Sequence, residues 1–351
     1  NSTDNVGHVE ATKRAYVLID KNSPSVSAVS LSGAQVFGGF INGSSVNWSA
    51  VVSDAASGLN AASCEVASIG SWSAGSYSAG TCSNATPVSV SNGAAYQFGV
   101  RVRDNVLNVG QNITSSYIGD TVASITTASG CITDWNGWRT AGSGEVNLIC
   151  NDNTGSGCSA TTFRIDSGVW QSGNPIFNQI FLITDGNHRV DFNSADNLGN
   201  YELVKSTFCA VDRNNPIVSS DVNNGVWQNF NAIVNLTCND GNGSGCKRIQ
   251  YWLDSDPTGG VNFALGQIYS NPILISSDGN FALQYRAEDN AARVSDSPQV
   301  LVLIDKTAPS GVSLSFGTIM TSSIYVNVSG ASDSLSGLNA LPYWFEADSN
   351  A

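Results

Sequence analysis

The side chains with most scope for chemistry in this 351-residue chain are aspartates, cysteines and two histidines. The aspartates are not scattered. Asp20, Asp120, Asp212 and Asp305 stand 100, 92 and 93 residues apart, and all but Asp120 have a Pro four residues on. Asp-Asn pairs at Asp4, Asp104, Asp196 and Asp289 show the same spacings. A third marker is an Asp followed shortly by Ser-Gly: Asp54 before Ser57-Gly58, Asp152 before Ser156-Gly157, Asp240 before Ser244-Gly245 and Asp333 before Ser336-Gly337. Three markers in one order at one period define a tandem array. If the fold gathers one Asp of each kind, three carboxylates repel one another unless a cation or hydrogen-bond donors intervene. Ca²⁺ takes six to eight oxygens from such loops. The competing reading is that Asp and Asn cap turns through their own backbone.

Eight cysteines distribute as two, four and two over successive repeats. Cys150 with Cys158 and Cys238 with Cys246 flank the Ser-Gly loop at one repeat position, where a disulfide would contribute roughly 2–3 kcal/mol. Cys64 with Cys82 would staple two strands, and Cys131 with Cys209 a first strand to a last one. The four cysteines of the second repeat still allow three pairings. Disulfides persist in oxidising compartments, so an extracellular location is expected. There is no C-x-x-C or Cys/His cluster for zinc. His8 and His188 fall in different repeats with no repeated nucleophile beside them, and Asp254 and Asp256 read as a turn. No enzyme is expected.

Composition narrows the field further. With 28 acidic and 15 basic residues the net charge is −13, which disfavours nucleic acid and anionic membranes. Apolar runs such as Val300 to Ile304 are far too short to span a bilayer. Ordinary apolar content and 9% aromatics exclude disorder. Asn1 to Asn5 carry no signal-peptide pattern, so any signal has been removed or lies upstream.

The positioning elements read as strands. Val46-Asn47-Trp48, Val146-Asn147-Leu148, Val234-Asn235-Leu236 and Val326-Asn327-Val328 alternate with the period of a half-buried strand. Further strands are expected at Thr162–Ile165, Ile249–Leu253 and Tyr343–Phe345 after the loop. Late strands are expected at Tyr96–Val102 and Phe281–Arg286, and closing ones at Tyr16–Ile19 and Val300–Ile304. Short strands with frequent turns and no helical period predict an all-β fold of tandem immunoglobulin-like β-sandwich domains forming an elongated array. The expected domains are 21–119, 120–211 and 212–304. They are flanked by last strands in 1–20 and first strands in 305–351, as in a window on a longer repeat chain. A donor-strand polymer would leave two or three strands missing, so the window is preferred.

The stretch Leu236-Thr-Cys-Asn-Asp-Gly-Asn-Gly-Ser-Gly-Cys246 followed by Tyr251-Trp-Leu-Asp254 resembles the bacterial and archaeal Ig-like repeats of large surface proteins. So do the turn Asp196-Asn-Leu-Gly-Asn200 and the linker Val211-Asp-Arg-Asn-Asn-Pro216. Asp120–Ser124, without its Pro, and Asp104–Asn108, without Gly-Asn, depart from the pattern. The resemblance implies extracellular arrays acting as stalks, adhesins or filaments, some of which bind calcium. In such a sandwich the incoming linker, the Ser-Gly loop and the last turn share one pole. That would group Asp20, Asp54 and Asp104; Asp120, Asp152 and Asp196; and Asp212, Asp240 and Asp289. The grouping resembles the junctional calcium of cadherin-like arrays, although only Glu288 stands near a candidate site. Sequons fall at Asn1, Asn42, Asn47, Asn84, Asn112, Asn235, Asn242 and Asn327 as candidate glycosylation sites. Trp135, Trp138 and Trp170 are expected to pack in a core or between domains rather than form a sugar platform. The expected function is a structural, semi-rigid segment of an extracellular filament, stalk or sheath that self-associates or continues as a longer chain. The alternative is a cell-surface adhesin or carbohydrate-binding module, with the Trp-rich Cys131–Gly144 loop as its binding element.

Overall fold

The computed structural model of the chain describes residues 1–318, 324–344 and 346. Among them the single helical element is a 3₁₀ turn, Phe263–Leu265. Everything else with regular structure is strand, as period-2 alternation and frequent turn residues dictate. The described residues cluster into two compact units: 1–129 with 147–179 and 190–207, and 130–146 with 180–189 and 208–351.

In the first unit, one sheet orders Ser25–Val26, Asn47–Ser53, Thr81–Ser83 and Ser76–Ser78, with Ser30–Ser32 also paired to Asn47–Ser53. The facing sheet orders Val109–Ile113, Gly99–Asp104, Leu59–Ala67 and Trp72–Ala74. Trp48, Ala50 and Val52 point inward from the first, and Val66, Val100 and Val102 from the second. Phe98 lies fully buried among them, its ring 5.1 Å from that of Trp48. The Cys64–Cys82 disulfide joins the two sheets. An early strand, Phe40–Asn42, runs parallel to the last, Tyr117–Gly119.

The second unit repeats the plan. Trp227–Gln228, Val300–Ile304, Gly279–Asp289, Cys246–Asp254 and Gln267–Ile268 follow one another in one sheet, with Trp227–Gln228 parallel to Val300–Ile304. Ile217–Ser220 pairs with Leu236–Asn239, and Ala232–Val234 with Ile273–Ile275. Val234, Leu236, Leu283, Tyr285, Val302 and Ile304 are central to their shared core. Intermediate in the sequence are Ile125–Gly130, Gly144–Asn151 and Phe177–Leu182 in one sheet, and Gln171–Ser172, Cys158–Ile165, Gly186–Asp196 and Lys205–Val211 in another. Corresponding strands recur along the chain, which is therefore built of immunoglobulin-like β-sandwiches in tandem. Four disulfides staple them: Cys64–Cys82, Cys131–Cys209, Cys150–Cys158 and Cys238–Cys246.

Three expected strands differ. Tyr16, Val17, Leu18 and Ile19 form no ladder and stay 74–95% exposed, because no described strand lies beside them. Tyr343 and Trp344 are likewise outside any strand, and Phe345 lies outside the described residues. The expected Tyr96–Val102 strand is split into Ala95–Tyr96 and Gly99–Asp104, each half pairing in a different sheet.

Emptying the first core should loosen it locally. Phe98→Ala removes a fully buried ring and is expected to cost about 3–5 kcal/mol. Hydrogen exchange of the Gly99–Asp104 amides should speed accordingly, whereas the outward-facing Val51→Ala should leave it within the usual surface range of about 0.5 kcal/mol.

Candidate metal centres at the linkers

Each linker aspartate reaches forward into the next Ser-Gly loop. Asp20 Oδ2 accepts from the Ser57 N–H at 3.0 Å, Asp120 Oδ2 from Ser156 at 2.7 Å, Asp212 Oδ2 from Ser244 at 2.8 Å and Asp305 Oδ2 from Ser336 at 3.0 Å. The loop aspartate binds the following glycine: Gly58 to Asp54, Gly157 to Asp152, Gly245 to Asp240 and Gly337 to Asp333, at 2.6–3.0 Å. These glycines have φ of 75–92°, which explains the Ser-Gly pair, since an L side chain is strained there. The late Asp-Asn turn completes the cluster. Its aspartate accepts backbone N–H groups two or four residues on, as Asp104 does from Val106 and Asn108. Its asparagine donates back to the loop: Asn105 to the Ser57 carbonyl, Asn197 to Ser156 and Asn290 to Ser244, at 2.8–2.9 Å.

The result is three carboxylate clusters, Asp20/Asp54/Asp104, Asp120/Asp152/Asp196 and Asp212/Asp240/Asp289. In each, oxygens from all three members lie within 4.8 Å of one another. The clusters are electrostatically unequal. Asn22 and then Ser57 hold Asp20 below the ordinary carboxylate range. Burial would raise Asp104, but the side chain and backbone of Asn108 and the Val106 N–H outweigh it. In the second cluster, burial foremost, with the charges of Asp120 and Asp196, raises Asp152 against the Gly157 N–H. In the third, burial raises Asp240, helped by the charges of Asp212, Asp289 and Asp185. Burial and Asp212 likewise raise Asp289.

The third cluster also has acceptors to spare. Asp212 Oδ1, Asp240 Oδ1 and Asp289 Oδ2 are buried and receive no hydrogen bond. A Cβ on Gly243 would sit 2.7 Å from Asp240 Oδ2 and 2.8 Å from Asp212 Oδ1. On Gly155 it would lie 2.6 Å from Asp152 Oδ2 and 2.9 Å from Asp120 Oδ2. Glycine thus keeps space open against converging carboxylates. An all-oxygen donor set of this kind fits a hard divalent cation such as Ca²⁺ and lacks the thiolate and imidazole ligands that typify zinc sites.

The other candidate residues are placed as follows. The amides of Asn42, Asn84, Asn112 and Asn235 are engaged with Asn200, Asn47 and Thr86, Val26 and Asp221 respectively. Asn47 donates to Ser45 at 3.4 Å, while Asn1, Asn242 and Asn327 are exposed. Expected core packing does not hold for Trp135 and Trp170, which are 51% and 39% exposed. Trp135 sits on a two-residue turn closed by Trp138, and Trp170 carries the Arg164 guanidinium 4.9 Å from its ring. His8 pairs with Asp4 on the surface, and His188 is buried against Thr184. Asp254 accepts from the Asp256 N–H, as a turn requires. No helix among the described residues is long and apolar enough to cross a membrane.

No family model matches the chain, and no curated protein matches it. Among solved structures it is similar to a tetra-tandem repeat in the extending region of a large adhesion protein. That match is 14% identical over 87% of this chain and 88% of the other, with TM-score 0.37. It is similar also to protocadherin gamma B2 extracellular cadherin domains 3–6, at 12% identity over 82% of this chain and 73% of that one, TM-score 0.36. Fibronectin(III)-like modules of Clostridium thermocellum CbhA match at 14% identity over 51% of this chain and 94% of theirs, TM-score 0.22.

The raised aspartates fix the sign of a pH effect. A carboxyl that keeps its proton to higher pH when folded favours the folded state at low pH. That advantage is lost as pH rises from the unfolded value of 3.8 through the raised one. In chelator, the wild type should therefore lose unfolding free energy over this window relative to Asp240→Asn. Parallel pH profiles for the two proteins in denaturant titrations would refute the assignment.

Proposed function

We propose that the chain is a structural segment of an extracellular filament, stalk or sheath, whose linkers are stiffened by Ca²⁺ at the aspartate clusters. The observation that supports this is the repeated placement of the linker carboxylate against the next Ser-Gly loop and two further carboxylates, ending in the three unpartnered oxygens of Asp212, Asp240 and Asp289. A linker bound in this way cannot hinge without breaking buried contacts. Asp212, Asp240 and Asp289 would hold the ion, whose positive charge would favour the ionised carboxylates that burial disfavours at Asp240 and Asp289. The four disulfides suit the oxidising exterior, where millimolar Ca²⁺ is available to sites of modest affinity.

Two measurements test the reading. Calcium at 100 times its dissociation constant should stabilise the protein by about 2.7 kcal/mol, and the Asp212→Asn/Asp240→Asn/Asp289→Asn variant should lose the tightest phase in titration calorimetry. Negative-stain microscopy of native material should show filaments that soften on chelation. Absence of binding heat at millimolar calcium, with images unchanged by chelator, would overturn the calcium part; isolated short particles would overturn the filament part.

A second reading, an adhesin or carbohydrate-binding segment, is favoured by one observation. Exposed Trp135 stands on a loop tethered at its start by Cys131–Cys209. Glycan binding that disappears in Trp135→Ala and Trp138→Ala would support it, and a blank glycan screen would count against it.

A further inference from the structure

A second repeated carboxylate or amide grips three of the four linkers from behind. Asn92 Oδ1 accepts the Thr121 N–H at 3.0 Å, one residue after Asp120. At the same place in the next repeat, Asp185 accepts the Arg213 N–H at 3.0 Å and the Asn214 N–H at 3.2 Å. Its carboxylate also lies 3.4 Å from the Arg213 guanidinium. One repeat later, Asp278 Oδ2 accepts from the Thr307 hydroxyl at 2.8 Å, and its other oxygen lies 3.5 Å from Lys306 Nζ. Asn92, Asp185 and Asp278 are 93 residues apart, and each precedes a glycine with positive φ: Gly93, Gly186 and Gly279. The glycine lets the chain turn sharply, so the Asx side chain faces the outgoing linker rather than its own strand.

We propose that Asn92, Asp185 and Asp278 are positioning residues that clamp the linkers independently of any cation. Each of these three linkers is then held on two sides within two residues. The preceding Asx-Gly turn holds the residues after the linker aspartate, and the following Ser-Gly loop holds the aspartate itself. Asn92 and Asp278 belong to none of the three carboxylate clusters, whereas the charge of Asp185 is felt at Asp240, so Asp278 gives the cleaner test. Lys21, one residue after Asp20, has no such clamp among the described residues and is exposed.

The linker sequence supplies its own reporter. Lys21, Arg213 and Lys306 each follow a linker aspartate, so trypsin has one cleavable bond in three of the four linkers. A protease binds its substrate as an extended, detached segment, so cleavage measures release of the linker. In the full chain with disulfides intact, the Lys21–Asn22 bond should be cut readily, while Arg213–Asn214 and Lys306–Thr307 resist. Asp278→Ala should speed cleavage after Lys306 by about tenfold and leave Arg213 protected, and Asp185→Ala should do the reverse. Asp278→Asn should stay protected, because asparagine performs this task at position 92. Chelator should not reproduce the effect of Asp278→Ala at Lys306. The proposal is overturned if Asp278→Ala cuts at the wild-type rate, if both bonds open together in either variant, or if chelator alone exposes Lys306. It survives a failure to bind calcium, which bears only on the function proposed above.

Discussion

The interaction on which the linkers depend is a single hydrogen bond, repeated four times, from a serine N–H to the carboxylate of the aspartate about 30 to 40 residues before it. A carboxylate accepting a main-chain N–H makes a charge-assisted bond, stronger than a neutral pair. It also brings a negative charge to the pole where the loop and last-turn aspartates already sit. Asp120 and Asp212 are almost wholly buried there. Burying a charge is tolerable only if it is paired or fully hydrogen-bonded. Everything else at the pole serves that requirement: the left-handed glycine that frees two N–H groups, the Asp-Asn turn, and the room kept by Gly155 and Gly243. In the third cluster the requirement is least fully met by protein groups alone.

Much of this pole was legible in the sequence because its parts are local motifs with fixed internal spacing. Asp with Ser-Gly and Asp-Asn each encode a turn whose backbone conformation limits the residues allowed. A period of 92 to 100 residues then implies that the turns recur in register. The clamps were less legible for a physical reason. An Asn-Gly or Asp-Gly pair between two β-rich stretches reads as a hairpin turn, and nothing local reveals that its side chain is turned outward to a segment about 30 residues on. The asparagines of the Asp-Asn pairs were equally opaque: their amides bind loop carbonyls some 40 residues away. Strand alternation placed Asn47 and Asn235 outward, but could not show that Asn235 is tied to Asp221 by both its N–H and its amide. Hydrophobicity alone misled at Tyr16–Ile19, since β-propensity makes a strand only where another strand supplies its hydrogen bonds.

The last turn shows how the repeat absorbs a change of residue at its most charged point. In the first two repeats it ends in an asparagine, Asn108 or Asn200, whose amide meets two acceptors. It donates to the turn aspartate's Oδ2 at 2.7 Å and to the linker aspartate's carbonyl at 3.3 Å. In the third repeat Arg293 stands there. Its backbone N–H still closes the turn on Asp289, and its Nε reaches the Asp212 carbonyl at 3.0 Å. The linker contact is therefore kept. The contact to the carboxylate is not, because the longer side chain carries its donors past Asp289 to Asn215 and the Thr140 carbonyl. Asp289 Oδ2 is left without a partner, and burial then raises its affinity for a proton. The guanidinium answers part of the cluster's charge from a distance, through Coulomb attraction rather than a hydrogen bond. One substitution thus converts a closed, self-satisfied turn into one that leaves an acceptor facing two other carboxylates, which is why the third cluster shares the geometry of the other two but not their chemistry.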